Sequence, residues 1–220
     1  MKRLVLLFLF TAISCSSDNN GSYTGDGILS IEGASAYSVE TGISPTSLNV
    51  KITKILVSES FYCTSPVTVY DNASASYSDM LLGPALGEGS IPNGAYNCII
   101  LELSDTIKPT PDANSGNCSN GVEYNHDICS SGSFQLADGT TGTCSGSEQT
   151  VAIYISTIST GTGSSFLPPT SADVTNGTRM NGQLIVSGST SGTFKFDAAG
   201  LITDNGSSCD LTAQPTISFE

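Results

Sequence analysis

The sequence predicts an all-β domain, a sandwich or barrel of many short strands. Three observations carry that expectation. Apolar and polar residues alternate with period two in several short segments, which is the pattern of half-buried strands. Turn dipeptides punctuate these segments at Asn120-Gly121, Asp138-Gly139, Asn176-Gly177, Asn181-Gly182 and Asn205-Gly206. No amphipathic helical pattern of three turns is present, and no fixed-period repeat suggests a solenoid or propeller.

The first residues read as an export segment rather than as fold. Lys2 and Arg3 precede an apolar run, Leu4 to Ala12, broken only by Thr11. That run is short of the about 20 residues a membrane-spanning helix needs and fits a signal-peptide core. It ends at Ala12-Ile13-Ser14-Cys15. Residues 1–14 are therefore expected to be a lipoprotein signal peptide, and Cys15 the lipidated residue. Residues 15–26 are polar up to Tyr23 and read as a flexible lipidated tether. Residues 27–220 form the expected sandwich domain.

Within that domain the clearest strand is Leu48 to Thr53, with a phase slip through Lys54 into Ile55-Leu56-Val57 that predicts a bulge or bend. Pro66 to Tyr70 is a β-branched run, and Asp79 to Leu82 a turn or single helical turn. Asn93-Gly94 predicts a tight turn with positive φ that feeds a buried strand from Cys98 to Leu103. Ser133 to Leu136 and Thr150 to Ser156 are further strands, the second with Val151, Ile153 and Ile155 on one face. Gln183 to Ser187 and Thr193 to Asp197 read as a hairpin, and Thr216 to Phe219 closes the chain. The stretches between Thr106 and Gly132 and between Thr157 and Asn181 read as long polar loops.

The stretch from Leu48 to Leu103 also carries a resemblance. Its Val-Lys-Ile-Thr-Lys-Ile-Leu-Val strand, its Val-Thr-Val strand, its Met-Leu-Leu segment and its Ile-Pro-Asn-Gly-Ala-Tyr lead into a long apolar strand. This is similar to bacterial surface lipoprotein domains with a transthyretin-like, carbohydrate-binding-like Greek-key β-sandwich. The most specific element is the Pro-x-Gly-x-Tyr corner at Pro92, Gly94 and Tyr96. The segment ending at Cys15 resembles a lipobox of the looser, spirochaete type, with Ala12 and Ile13 replacing the usual Leu and small residue. The resemblance implies a fold and an outer-membrane, lipid-anchored location. It supplies no catalytic residues, and the cysteine-rich second half departs from the family's pattern.

Seven cysteines are an odd number, and assigning Cys15 to the lipid leaves six: Cys63, Cys98, Cys118, Cys129, Cys144 and Cys209. In an oxidising compartment these are expected to pair. The expected pairing is Cys118–Cys129, Cys63–Cys98 and Cys144–Cys209, one of about 15 arrangements that six cysteines allow. A zinc site is disfavoured, since no C-x2-C pair exists and the chain has a single histidine.

Candidate chemistry is sparse. Gly142-Thr143-Cys144-Ser145-Gly146 mimics a nucleophile elbow, yet a strand rather than a helix is expected after it. The sole histidine, His126, is expected on a solvent-facing loop. Asp112, Asn114, Asn120 and Glu123 occupy positions 1, 3, 9 and 12 of a calcium-type loop, but Gly116 and Asn117 misfit positions 5 and 6. The expectation is therefore no metal or other cofactor, with calcium on these four residues as the alternative.

Once Lys2 and Arg3 are removed with the signal, 5 basic residues face 20 acidic ones, a net charge of −15. Nucleic acid is excluded as a partner, because phosphate backbones demand a basic stripe. The reading is a non-enzymatic envelope protein, held to the membrane by its lipid, that binds a host or matrix protein or a glycan. The alternatives are a pilus-like structural or assembly subunit and, last, a hydrolase using His126 or Cys144.

Overall fold

The computed structural model describes residues 25–35, 42–162 and 166–220. The expected signal peptide, Cys15 and most of the expected tether lie outside these residues. Among the described residues the chain is all-β, with no α-helix.

The strands run in chain order as β1 (Asp26–Ser35), β2 (Pro45–Val50), β3 (Ile52–Ser58), β4 (Val67–Asp71), β5 (Ser78–Asp79), β6 (Ala85–Pro92), β7 (Gly94–Tyr96), β8 (Cys98–Ser104) and β9 (Thr106–Pro111). They continue as β10 (His126–Asp127), β11 (Ser133–Gln135), β12 (Thr141–Thr143), β13 (Thr150–Ser156) and β14 (Thr178–Arg179). The last are β15 (Leu184–Val186), β16 (Ser189–Asp197), β17 (Ile202–Asp204), β18 (Cys209–Leu211) and β19 (Thr216–Phe219).

Three sheets enclose the main core. One has the order β19-β16-β1-β6, a second β10-β9-β2-β5, and a third β14-β13-β8-β3-β4. Leu29, Ile31, Phe194, Phe196 and Ile217 project from the first sheet. Leu48, Val50 and Ile107 come from the second, and Ile55, Val57, Ile99, Leu101, Val151, Ile153 and Ile155 from the third; all join one buried cluster. The arrangement is sandwich-like. The third sheet is covered on both faces: β8 is buried at every position. Its outer face (Leu56, Ile100, Ala152, Tyr154) packs under Leu136 and Ala137. Glu102 lies on that face with only 6% of its surface exposed. Its carboxylate accepts from the Ala137 amide at 2.9 Å and faces the Lys54 ammonium at 3.6 Å. A charge so deeply placed needs such partners.

The first and third sheets meet at β6 and β4, where side chains leave no room. A Cβ at Gly89 would sit 2.1 Å from the Val69 carbonyl oxygen. Glycine at this position lets the two backbones touch.

The sequence reading is met by several elements. The Thr150–Ser156 strand has the expected bounds, Met80–Leu82 is a single 3-10 turn capped by Asp79, and register shifts between Ile52 and Lys54 at the expected slip. Other elements differ. The Leu48–Thr53 strand is two strands in different sheets, broken at Lys51. Gly94 has no positive φ; it opens β7, paired with β15. The expected hairpin of residues 183–197 is also absent. After Gly188 (φ 68°) the chain changes sheet, so β15 pairs with β7 and β16 runs parallel to β1.

The supposed polar loop after Thr106 begins as a strand, β9, with Ile107, Pro109 and Pro111 buried at alternate positions. Prolines are tolerated there because the neighbouring segment gives rather than takes: the Tyr124 and Gly121 amides donate to the Pro109 and Pro111 carbonyls.

Candidate functional site: a clamped loop at one end of the central ribbon

The strongest site is the loop of residues 59–66 between β3 and β4. Its sequence is rich in small hydroxyl residues, which hydrogen-bond to nearby backbone and favour turns. Ser58 Oγ donates to the Thr64 carbonyl at 2.5 Å and accepts from the Ser60 amide at 3.1 Å. Ser60 Oγ accepts from the Tyr62 amide, and the Cys63 amide donates to the Ser60 carbonyl. Neighbouring strands fix the loop from outside. Asn97 Nδ2 donates to the Glu59 carbonyl at 2.6 Å, and Ser156 Oγ to the Phe61 carbonyl at 2.6 Å. Cys63 is bridged to Cys98 at the start of β8.

This clamp holds a backbone that the residues themselves disfavour. Cys63 has φ 59° and Ser65 φ 51°, and they are the non-glycine residues with positive φ among those described. A left-handed non-glycine residue costs about 1–2 kcal/mol, so it persists only where the surroundings enforce it. Such strain gathers at ligand-contacting segments. The loop turns Phe61 outward, 48% exposed.

Beside the loop runs an open groove of about 450 Å³, lined by Glu59, Ser60, Thr64, Ser65, Val67 and Pro92, with Tyr96 at its base. The Tyr96 hydroxyl donates to the Pro92 carbonyl at 2.5 Å, closing the Pro-x-Gly-x-Tyr corner. Burial pushes the Tyr96 phenol above its ordinary pKa, and the negative charges of Glu59 and Asp26 push it the same way. No basic side chain lines the groove among the described residues. Hydroxyls, one carboxylate and a nearby aromatic ring suit a hydroxylated or cationic ligand and repel an anion.

Compared with known proteins, the chain matches no family model, no curated sequence and no solved structure.

The residues singled out by sequence are distributed elsewhere. Cys15 lies outside the described residues. The other six cysteines form three bridges, Cys63–Cys98, Cys118–Cys209 and Cys129–Cys144. The expected Cys118–Cys129 and Cys144–Cys209 pairs are therefore incorrect. The reason is tertiary: the loop around Cys118 packs on the β17–β18 hairpin, where Asn117 Nδ2 donates to Asp204 at 2.7 Å. Cys144, at the end of β12, meets Cys129 instead. A bridged Cys144 has no thiolate to attack with, which removes it as a nucleophile.

His126 is not on a solvent-facing loop. It lies in β10, its side chain 15% exposed, with Nδ1 against the Asp210 carboxylate. It is placed as a fastener beside the Cys118–Cys209 bridge. Three of the calcium candidates have side-chain oxygens engaged within the protein. The Asp112 carboxylate accepts from the Ser44 amide, Asn114 from the Asn120 amide, and Glu123 from Asn49 Nδ2 while facing Lys108.

The loop of residues 59–66 escaped the sequence reading. The available signal was its Ser-Glu-Ser-x-x-Cys-Thr-Ser-Pro composition; the strained backbone has none.

Proposed function

We propose that this chain is a lipid-anchored protein of the cell envelope whose β domain is a non-enzymatic binding module, with the clamped loop of residues 59–66 and its groove as the ligand contact. The observation that carries the reading is the left-handed backbone at Cys63 and Ser65, enforced by a disulfide and aimed at a groove. The anchoring half rests on the signal-like segment ending at Cys15. It is supported by the closed set of three bridges, which leaves Cys15 as the seventh cysteine. The fold that goes with it is a Greek-key sandwich of the transthyretin-like kind, supported by the Tyr96–Pro92 corner; the parallel β1–β16 and β13–β14 pairs are additions to that plan.

Two measurements test it. Metabolic labelling with a fatty-acid analogue should mark the wild type and not Cys15→Ala; equal labelling removes the anchor. The purified domain should bind members of a panel of glycans and immobilised matrix proteins, and Phe61→Ala or Glu59→Gln should weaken that binding about tenfold or more, as truncation of a central contact does. Unchanged binding in both variants assigns the contact to another surface.

A further inference from the structure

The opposite end of the β3–β8 pair holds a second cluster, with different chemistry. At Lys51 the chain leaves the second sheet for the third, and at Asp105 it returns. The two breaks lie side by side, joined by the Ser104 amide donating to the Lys51 carbonyl at 2.9 Å. The polypeptide ribbon bends between sheets at this corner.

Asp105 ties the corner together. Its amide donates to the Gln149 carbonyl at 2.9 Å, its Oδ1 accepts from the Gln149 amide at 2.8 Å, and its carbonyl accepts from the Ile128 amide at 2.8 Å. The β8–β9 crossover, the start of β13 and the segment after β10 thus meet on one residue. Asp105 is also fully buried, at 0% exposure, and its Oδ2 has no hydrogen-bond partner. Asp127 Oδ2 and Gln149 Nε2 are likewise buried and unpartnered. Of the four such side-chain atoms among the described residues, three lie on residues joined to this knot or one position from it.

We propose that Asp105 is a protonation switch that locks the sheet corner in its neutral form and loosens it when ionised. An orphaned buried carboxylate oxygen costs more than an orphaned neutral group. Protonation removes the charge while Oδ1 keeps the Gln149 amide. The groups facing Asp105 favour this form. Burial raises its pKa above the ordinary 3.8, the Gln149 amide hydrogen bond and the approach of the Gln149 side chain oppose, and the negative charges of Asp127 and Glu148 raise it further. Lys51 approaches as well, but Glu148 holds its ammonium. Tyr77 and Lys108 flank the cluster on the Glu148 side, Tyr77 through its hydroxyl on Ser104 and Glu148 and Lys108 over the Tyr77 ring. His126, adjacent to Asp127, is engaged by Asp210.

The sign follows from linkage. A carboxyl whose folded pKa is raised contributes stability that is full below its unfolded pKa and is lost as pH rises through the folded value. The wild type therefore loses stability on that climb relative to Asp105→Asn, a neutral mimic that keeps the Oδ1 acceptor.

The experiment uses the purified domain. Tm is followed from about pH 4 to about pH 8, the range that spans ordinary and raised carboxyl pKa values. Amide exchange at Ile128 and Gln149 is followed over the same range. Asp105→Asn should have the higher Tm at neutral pH, a gap that closes towards acid, and should keep both amides protected. Parallel curves, or a variant less stable at every pH, overturn the proposal. If Asp105→Asn does not fold, Asp127→Asn carries the test: removing that like charge should shrink the wild-type loss, and a loss of unchanged size overturns the switch. Calcium that raises the wild-type Tm at neutral pH but not that of either variant would show that a cation, not a proton, neutralises Asp105, and also overturns it.

Discussion

The β3–β8 pair is held in two different ways at its two ends, about 20 Å apart at the usual rise of a strand. At the Ser58–Cys98 end the fastenings are neutral or covalent: a disulfide, serine hydroxyls on backbone carbonyls and the Asn97 amide. At the Ile52–Leu103 end, beside Lys51 and Asp105, they are ionisable: Lys51, Glu148, Tyr77 and Asp105. The neutral end carries a strained loop and an exposed aromatic ring, and none of its fastenings carries a charge. The ionisable end holds a bend between sheets. The difference teaches that the proposed contact surface is fastened without charged groups, whereas the bend between sheets depends on groups whose charge changes with pH.

The sharpest way to break the comparison is to open the covalent end. Replacing Cys63 and Cys98 together by alanine should cost about 2–4 kcal/mol in denaturant unfolding, the usual value for a native bridge. It should also release Cys63 and Ser65 from positive φ, so that limited proteolysis cuts within residues 59–66. A variant that keeps the loop uncut shows that the serine and asparagine contacts suffice to hold the strain.

A smaller effect is expected at the corner of the groove. Tyr96→Phe removes the hydroxyl that satisfies the Pro92 carbonyl, in a residue only 1% exposed. The loss should be about 1 kcal/mol, the net value of one internal hydrogen bond, and it should not vary with salt. A salt-dependent loss would mean that Glu59, rather than the hydrogen bond, sets the energetics there.

How much of this was legible in the sequence depends on how local each feature is. The Thr150–Ser156 strand and the slip near Lys54 are written in alternation, and the structure places both as expected. The parallel β1–β16 pair joins residues more than a hundred positions apart, and no periodicity encodes such a pairing. The β9 strand was hidden by Pro109 and Pro111, which ordinarily argue against a strand. Cys118 and Cys209 are 91 residues apart, and their meeting depends on hairpin packing that spacing does not reveal. At the loop, serine and cysteine composition was visible, but a positive φ at Cys63 and Ser65 arises only from the clamp around them. At the corner, Asp105 and Gln149 look like ordinary surface residues until the fold buries Asp105 completely.

The smallest expected effect sharpens the contrast most directly, because it asks whether the two ends respond to the solvent differently. Lys51 and Glu148 are paired but partly exposed, at 29% and 45% of their side-chain surface. Their coupling should therefore be only about 0.2–1 kcal/mol in a double-mutant cycle of Lys51→Ala and Glu148→Gln. The pair has a pH signature opposite to that of Asp105. The Lys51 hydrogen bond, then that of Ser104, holds the Glu148 pKa below its ordinary value of 4.5. Its stability is present above the unfolded pKa and is lost as pH falls through the folded one. The coupling should shrink in acid, and also in about 1 M salt, where screening acts over a few ångströms. Under the same conditions the effect of Tyr96→Phe should stay constant. If the Lys51–Glu148 coupling is equally indifferent to salt and acid, Ser104 and Tyr77 rather than charge hold the corner, and the two ends of the ribbon are fastened by the same kind of bond.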